Sequence, residues 1–285
     1  MGRSGAEAER FEGYLGRLYE AVGHADRREP LRAYLTGLLL PGERKSVEPM
    51  AAKIEPRRVR ARHQSMHHFV ASARWDGEEV LRIARDYALE QLERHAPVGA
   101  WVVDDTGMPK KGRHSVGVAR QYCGQLGKQE NCQVAVTVSL ANAVLSVPAA
   151  YRLYLPEEWA KDRARRKEAG VPKELKFQKK WEIALAEIDA LLEDDLPRAP
   201  VVADAGYGVV TEFRKALAER HLSYAVGVSS EVSVWPPGQQ PLEPPAWSGR
   251  GRPPKLLRRS ETQRPVSVLE LAKQQPEGKW RVVRW

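Results

Sequence analysis

Two aspartates follow short apolar runs. Ala100-Trp101-Val102-Val103 leads directly into Asp104-Asp105, and Pro200-Val201-Val202-Ala203 leads into Asp204. Such runs, bounded by glycine and proline, predict short buried strands. Both aspartates then stand at strand ends, where open α/β sheets bind ligands and metals. Carboxylates are hard oxygen ligands suited to Mg2+. Phosphodiester chemistry commonly uses two such ions roughly 3.5–4 Å apart, one activating the attacking oxygen and one steadying the leaving oxygen. One aspartate in this position more often caps a turn or the following helix. Two separated strand-aspartate-glycine segments in a basic chain favour metal binding.

The chain has 285 residues, a formal net charge of +9 and 42% hydrophobic residues, with a pI near 9.6. That is enough apolar content for a real core, and a basic balance that suits a polyanion, nucleic acid first. Arg57, Arg58, Arg60 and Arg62 form one basic cluster; Lys161, Arg163, Arg165, Arg166 and Lys167 a second; Arg250, Arg252, Lys255, Arg258 and Arg259 a third. Phosphate neutralisation is their functional reading, and a solvated charged face the bland one. Lys110, Lys111 and Arg113 stand closer to Asp105, where a scissile phosphate would lie. His63, His67 and His68 have partial metal spacing, but no cysteine or carboxylate nearby completes a set, so an exposed or DNA-facing helix is favoured. Trp235, Trp247, Trp280 and Trp285 could stack on unpaired bases or pack locally.

Two cysteines, Cys123 and Cys132, make neither a disulfide framework nor a zinc quartet. They read as two buried or half-buried thiols in a reducing cytoplasm. No signal-peptide core opens the chain and no apolar run reaches membrane-spanning length. The expectation is a cytoplasmic protein with no membrane partner.

The aspartates need a scaffold, and the periodicity outlines one. Residues 1–97 read as a helical domain: Phe11, Tyr14, Leu15, Leu18, Tyr19 and Val22 recur at helical spacing. A second apolar run, Leu31 to Leu40, stops at Pro41-Gly42. Asp76 is placed to cap a helix, with Glu79 as its capping-box partner and Val80, Ile83, Tyr87 and Leu92 facing a core. Residues 98–228 read as α/β. Gly107 to Gly112 reads as a turn. Cys132, Val134, Val136, Val138 and Leu140 alternate with polar or small residues, a half-buried strand, and Asn142-Ala143 turns the chain into another from Val144 to Leu155. A charged segment from Glu157 to Lys180 precedes a helix face of Trp181, Leu185, Ile188, Leu191 and Leu192. Gly206 and Gly208 break the strand before Asp204, Thr211 to Arg220 reads as a helix, and Tyr224 to Val228 as a last strand. Residues 229–285, rich in Pro, Trp, Gly and Arg, read as an irregular or β-rich insertion. Strands, helix, strand, helix, strand is the order of a mixed RNase H-like sheet, although composition alone would also admit other α/β folds.

The strings themselves are more specific. Trp101-Val102-Val103-Asp104-Asp105-Thr106-Gly107-Met108-Pro109-Lys110-Lys111-Gly112 resembles the first catalytic block of DDE transposases of bacterial insertion sequences, and Val201-Val202-Ala203-Asp204-Ala205-Gly206-Tyr207-Gly208 resembles their second. Gly117 to Gly124, Gly127, Asn131-Cys132-Gln133, Trp235-Pro236-Pro237 and Gly249-Arg250-Gly251-Arg252-Pro253-Pro254 are similar to the same family, so the resemblance covers nearly the whole chain.

The resemblance implies an RNase H-like catalytic core, Mg2+ or Mn2+, and cleavage and strand transfer on double-stranded DNA, at transposon ends and target sites. A homodimer on DNA is among the assemblies open to it. In the first block the family's metal ligand is the aspartate directly before Thr, hence Asp105, with Asp104 on the opposite side of the strand; Asp204 is the second ligand. The family's third carboxylate lies in a later helical block that is not found here. Glu270 is the only late helical glutamate with apolar neighbours, and it falls within the resemblance to the insertion, so it is left unassigned. The expectation is a C-terminally truncated enzyme, weak or inactive, with a catalytically inactive DNA-binding remnant as the alternative. A nuclease unrelated to transposition is a third reading.

Overall fold

The computed structural model describes residues 2–281. Residues 282–285, which include Trp285, lie outside the described residues. By its internal contacts the chain groups into two compact units: the chain up to Trp101 with Thr137–Arg152 and Leu191–Pro197, and a second made of Val102–Val136, Leu153–Ala190 and the chain from Arg198 onward.

The first unit is mainly helical, as the periodicity predicts, with α1 (Gly2–Val22), α2 (Arg28–Leu39), α3 (Val47–Ile54), α4 (Val59–Ala71) and α5 (Gly77–Glu93). Leu15, Leu18 and Val22 on one face of α1 meet Leu31 and Phe69 in one buried cluster, and Ala33, Met50, Ala51 and Met66 form another. Gly37 lets α2 and α3 approach closely, because a Cβ there would meet the Met50 Cβ at 2.8 Å. Asp76 caps α5 by accepting from the amides of Glu78 and Glu79. The expected capping box gives way to an ion pair, since the Glu79 carboxylate binds Arg82 at 2.6 and 2.8 Å. Leu92 is fully buried, while Val80, Ile83 and Tyr87 are half-buried.

The sheet strands are β1 (Ala100–Pro109), β2 (Ala119–Cys123), β3 (Lys128–Ala141), β4 (Ser146–Leu153), β5 (Val201–Ala203) and β6 (Tyr224–Val226). Their order is β2-β3-β1-β5-β6, with β4 also on β3. β2 and β3 are antiparallel, and β5 and β6 parallel, so the sheet is mixed. Asn142 closes the β3–β4 turn: its Oδ1 accepts from the amides of Val144 and Leu145, both at 2.9 Å.

β1 runs on to Pro109 and does not end at the aspartates, so Asp105 sits within a strand and the expected turn at Gly107 is strand. Two features carry the ladder past the polar residues. Gly107 is buried against Cys123, whose Sγ a Cβ would meet at 2.9 Å, and the Lys110 amide still donates to the Asn131 carbonyl at 2.9 Å.

In the second unit the charged segment holds two short helices, α6 (Glu157–Lys161) and α7 (Arg163–Glu168), before α8 (Lys180–Glu193). Trp159 is fully buried with Val118, Leu155 and Val171. Its indole N–H donates to the Val118 carbonyl at 2.7 Å, and the Arg165 guanidinium lies 3.7 Å from the ring centroid. After β5 come α9 (Ala205–Gly208), which replaces the expected glycine break with one helical turn, and α10 (Thr211–Glu219).

Beyond β6 there is less strand than the β-rich reading expects. β7 (Ser233–Val234) and β8 (Val266–Ser267) are two residues each and pair with one another, followed by α11 (Val268–Lys273). Closely spaced prolines (Pro236, Pro237, Pro241, Pro244, Pro245) remove ladder donors, and among the described residues of this stretch none joins the buried hydrophobic core. No helix among the described residues is long and apolar enough to cross a membrane.

Trp159 thus anchors the β2–α7 side of the second unit. Trp159→Ala is expected to lower stability by about 3–5 kcal/mol, as for other buried large-to-small changes, read as the shift of the urea midpoint at unchanged slope.

Candidate active site

Alternation along β1 decides which aspartate faces the covered side of the sheet. Trp101, Val103, Asp105 and Gly107 share one face; Asp104 is exposed on the other. On the covered face Asp105 meets two side chains. Its Oδ1 accepts from the Tyr207 hydroxyl at 2.7 Å, and its Oδ2 accepts from the Lys180 ammonium at 2.6 Å. Neither partner stands out from the sequence. Lys180 closes a lysine-rich stretch, and Tyr207, though inside the quoted second block, carries no role there. The remaining local signals are position: Lys180 opens α8, and Tyr207 lies three residues after Asp204.

Asp204 follows β5, which neighbours β1. It caps α9, its Oδ1 accepting from the Gly206 amide at 2.8 Å, and it is exposed. The capping role weighed above is therefore present, and it engages Oδ1. Backbone contact fixes α9 itself. A Cβ on Gly208 would meet the Gly227 carbonyl oxygen at 1.8 Å, and one on Gly227 would meet the Ala205 amide at 2.8 Å. Two glycines thus seat α9 on the end of β6 and lay the buried Tyr207 ring against Phe213, centroids 5.6 Å apart.

Burial holds the Tyr207 phenol well above its ordinary value, and the charges of Asp105, Asp104 and Asp204 push it the same way. Three carboxylates therefore bear on one hydroxyl, which stays a donor. Among the described residues no group of three or more His, Cys, Asp or Glu side chains stands close enough to hold a metal ion. Glu270 is exposed and forms a capping box with Ser267, whose amide and hydroxyl hold its carboxyl below the usual range.

The basic residues divide into free and committed. Lys110, Lys111 and Arg113 are exposed just beyond β1, and Arg250 and Arg252 are exposed in the irregular stretch. Arg165 and Arg166 are tied to backbone carbonyls, among them Arg113, Pro172 and Leu175. In the helical unit Arg57, Arg58 and Arg60 are exposed, whereas Arg62 is half-buried between Glu29 and Glu55. The His63 and His67 rings lie 5.8 Å apart between centroids, tilted by 39°. Trp247 and Trp280 are exposed; Trp235 is half-buried.

Two outcomes are expected from this geometry. Gly208→Ala sets a side chain against backbone that cannot step aside, so a loss of at least about 1–3 kcal/mol is expected in denaturant unfolding. Tyr207 binds its proton more tightly folded than unfolded, so it stabilises fully below the ordinary phenol value near 10 and progressively less as pH rises beyond it. Stability measured from pH 9 to 11 is expected to fall less steeply in Tyr207→Phe than in the parent protein; equal slopes would refute the assignment.

The chain's relatives agree with the strings quoted at the outset. Residues 17–285 match the family model described as DDE superfamily endonuclease. A curated relative described as a probable transposase for insertion sequence element IS701, from Microchaete diplosiphon, is 34% identical over 172 residues, 60% of this chain and 42% of that protein. The chain thus spans less than half the length of the curated relative it matches. With the family model covering most of the sequence, this chain belongs to the DDE superfamily endonucleases.

Proposed function

We propose that the protein is a transposase that cleaves DNA at transposon ends and joins them to target DNA on an RNase H-like sheet. The observation that carries the reading is the position of Asp105 within β1 and of Asp204 directly after the neighbouring β5, with Tyr207 of the turn that Asp204 caps donating its hydroxyl to Asp105. The strand order β2-β3-β1-β5-β6, with β2 and β3 antiparallel and β5 and β6 parallel, supports it.

The donor set fits a hydrated divalent ion. Asp105 and Asp204 are hard oxygen donors, and Mg2+ is often bound by one or two carboxylates with water and phosphate oxygens filling the rest. Oδ2 of Asp105 already carries a cation, the Lys180 ammonium, so this oxygen is electrostatically suited to positive charge. Bound Mg2+ or Mn2+ would supply Lewis-acid stabilisation of the phosphate and a more acidic water. The chain's own contribution is positional. Tyr207 holds Oδ1 of Asp105, the α9 cap orients Asp204, and Lys110, Lys111 and Arg113 are the cations for the phosphates flanking the reacting one. Residues 1–97, with exposed Arg57, Arg58 and Arg60, are proposed to bind DNA outside the cleavage site. Glu270 is not proposed as a ligand, because it lies within the stretch that resembles the family's insertion.

A second reading, DNA binding without chemistry, is favoured by one observation: protein donors occupy both oxygens of Asp105. Cleavage and binding assays separate the two. With Mg2+ or Mn2+ and the cognate terminal repeat, the transposase reading expects nicked ends, and joined product when target DNA is added. Asp105→Asn or Asp204→Asn is expected to lower cleavage roughly a hundredfold or more while leaving DNA binding in place. Binding is expected to weaken with salt, with a slope of about −0.9 in log affinity per neutralised phosphate. Salt-sensitive binding with no metal-dependent cleavage would select the second reading, and cleavage indifferent to both aspartates would refute the first.

A further inference from the structure

The contact between Lys180 and Asp105 is not what starts α8. Lys180 is the first residue of α8, where a cation opposes the helix dipole. Glu182 satisfies the start of that helix, accepting from the Lys179 amide at 2.6 Å. The ion pair spans 75 residues of sequence and is one-third exposed at both ends, 32% for Lys180 and 33% for Asp105. Pairs this open to water are weak and readily exchanged. The two oxygens of Asp105 also differ in kind. Oδ1 is held by a neutral hydroxyl from a buried ring, and Oδ2 by a mobile charge on a four-carbon stem. The same ammonium lies 5.4 Å from the centroid of the Tyr154 ring, which offers it a second resting place when the carboxylate is withdrawn.

We infer that Lys180 is an exchangeable counter-ion of the cleavage site, which yields Oδ2 of Asp105 to a divalent cation and carries its own charge to a DNA phosphate at that site. The inference rests on the metal-site reading of Asp105 given above. Lys180 acts as a positioning residue: it keeps Asp105 turned toward the site before loading, and its release couples occupation of the carboxylate to a grip on the DNA. Tyr207 holds the carboxylate plane throughout the exchange, so Oδ2 is the oxygen that changes partner. Arginine keeps the charge but brings a planar, wider head group, and is expected to preserve the DNA contact.

Mn2+ binding to the full chain, read by electron paramagnetic resonance without DNA, tests the first half. Salt dependence of DNA affinity in the presence of Mn2+ tests the second. Lys180→Met is expected to bind Mn2+ about tenfold more tightly, because a like charge beside the ion is removed from a partly screened site. Its log–log salt slope is expected to be shallower by about 0.9, one phosphate contact, and Lys180→Arg is expected to restore the parent slope. Circular dichroism of both variants checks that the fold is kept, and the arginine variant carries the test if the methionine variant fails to fold, since loss of the parent slope there overturns the inference. Unchanged Mn2+ affinity in Lys180→Met, with Mn2+ binding still abolished by Asp105→Asn, would overturn the inference and leave the metal site standing. Mn2+ binding indifferent to Asp105→Asn would overturn both.

Discussion

Gly208 cannot carry a side chain because a carbonyl oxygen, that of Gly227, occupies the space, and the site follows from that contact. One helical turn between β5 and α10 is pinned to the end of β6, with the Asp204 carboxylate as its cap and the Gly206 amide as the donor it caps. A turn held at both ends has little freedom in where its third residue points. Tyr207 therefore enters the covered face of the sheet beside β1, and its hydroxyl reaches Asp105. The bond from Tyr207 to Asp105 joins side chains 102 residues apart, and its geometry follows from the packing of α9 and of the Tyr207 ring on Phe213.

Charge explains the remaining features of the same small region. Asp104, Asp105 and Asp204 lie near enough to one phenol to oppose its ionisation. Like charges so arranged are costly unless cations or donors compensate. The tyrosine hydroxyl, the Lys180 ammonium and the α9 amide supply that compensation. The net charge of +9 works at longer range, drawing a polyanion to the surface. Its cations are not equivalent, since arginines such as Arg62, Arg165 and Arg166 are consumed by internal partners and others remain open to solvent.

Much of the scaffold was legible in the sequence because it rests on local periodicity. The α1 stripe, the β3 alternation and the Asp76 cap each depend on neighbours within a few residues, and each formed. The two aspartates stood out for the same reason, as acids after short apolar runs. The misreadings share another cause, partners distant in sequence. The polar string after Val103 resembles a strand end, yet β1 continues because Gly107 fits against Cys123 and the Lys110 amide finds Asn131. Trp159 sits among charges and was not singled out, but its burial depends on Val118 and on the stacked Arg165. The Glu79 capping box was lost to Arg82, one turn away. Lys180 offered no local signal, because its partner comes from β1, and the proline-rich stretch after β6 has too few buried apolar residues to sustain the strands its pattern suggested.

In the function proposed above, Asp105 and Asp204 serve one cation-binding centre. Crystals of the full chain grown with Mn2+ and examined by anomalous scattering address this pairing. A manganese peak is expected in contact with Oδ2 of Asp105 and a carboxylate oxygen of Asp204, with Lys180 moved off Asp105. Manganese bound at other residues, or the two carboxylates found on opposite faces of the sheet, would contradict it.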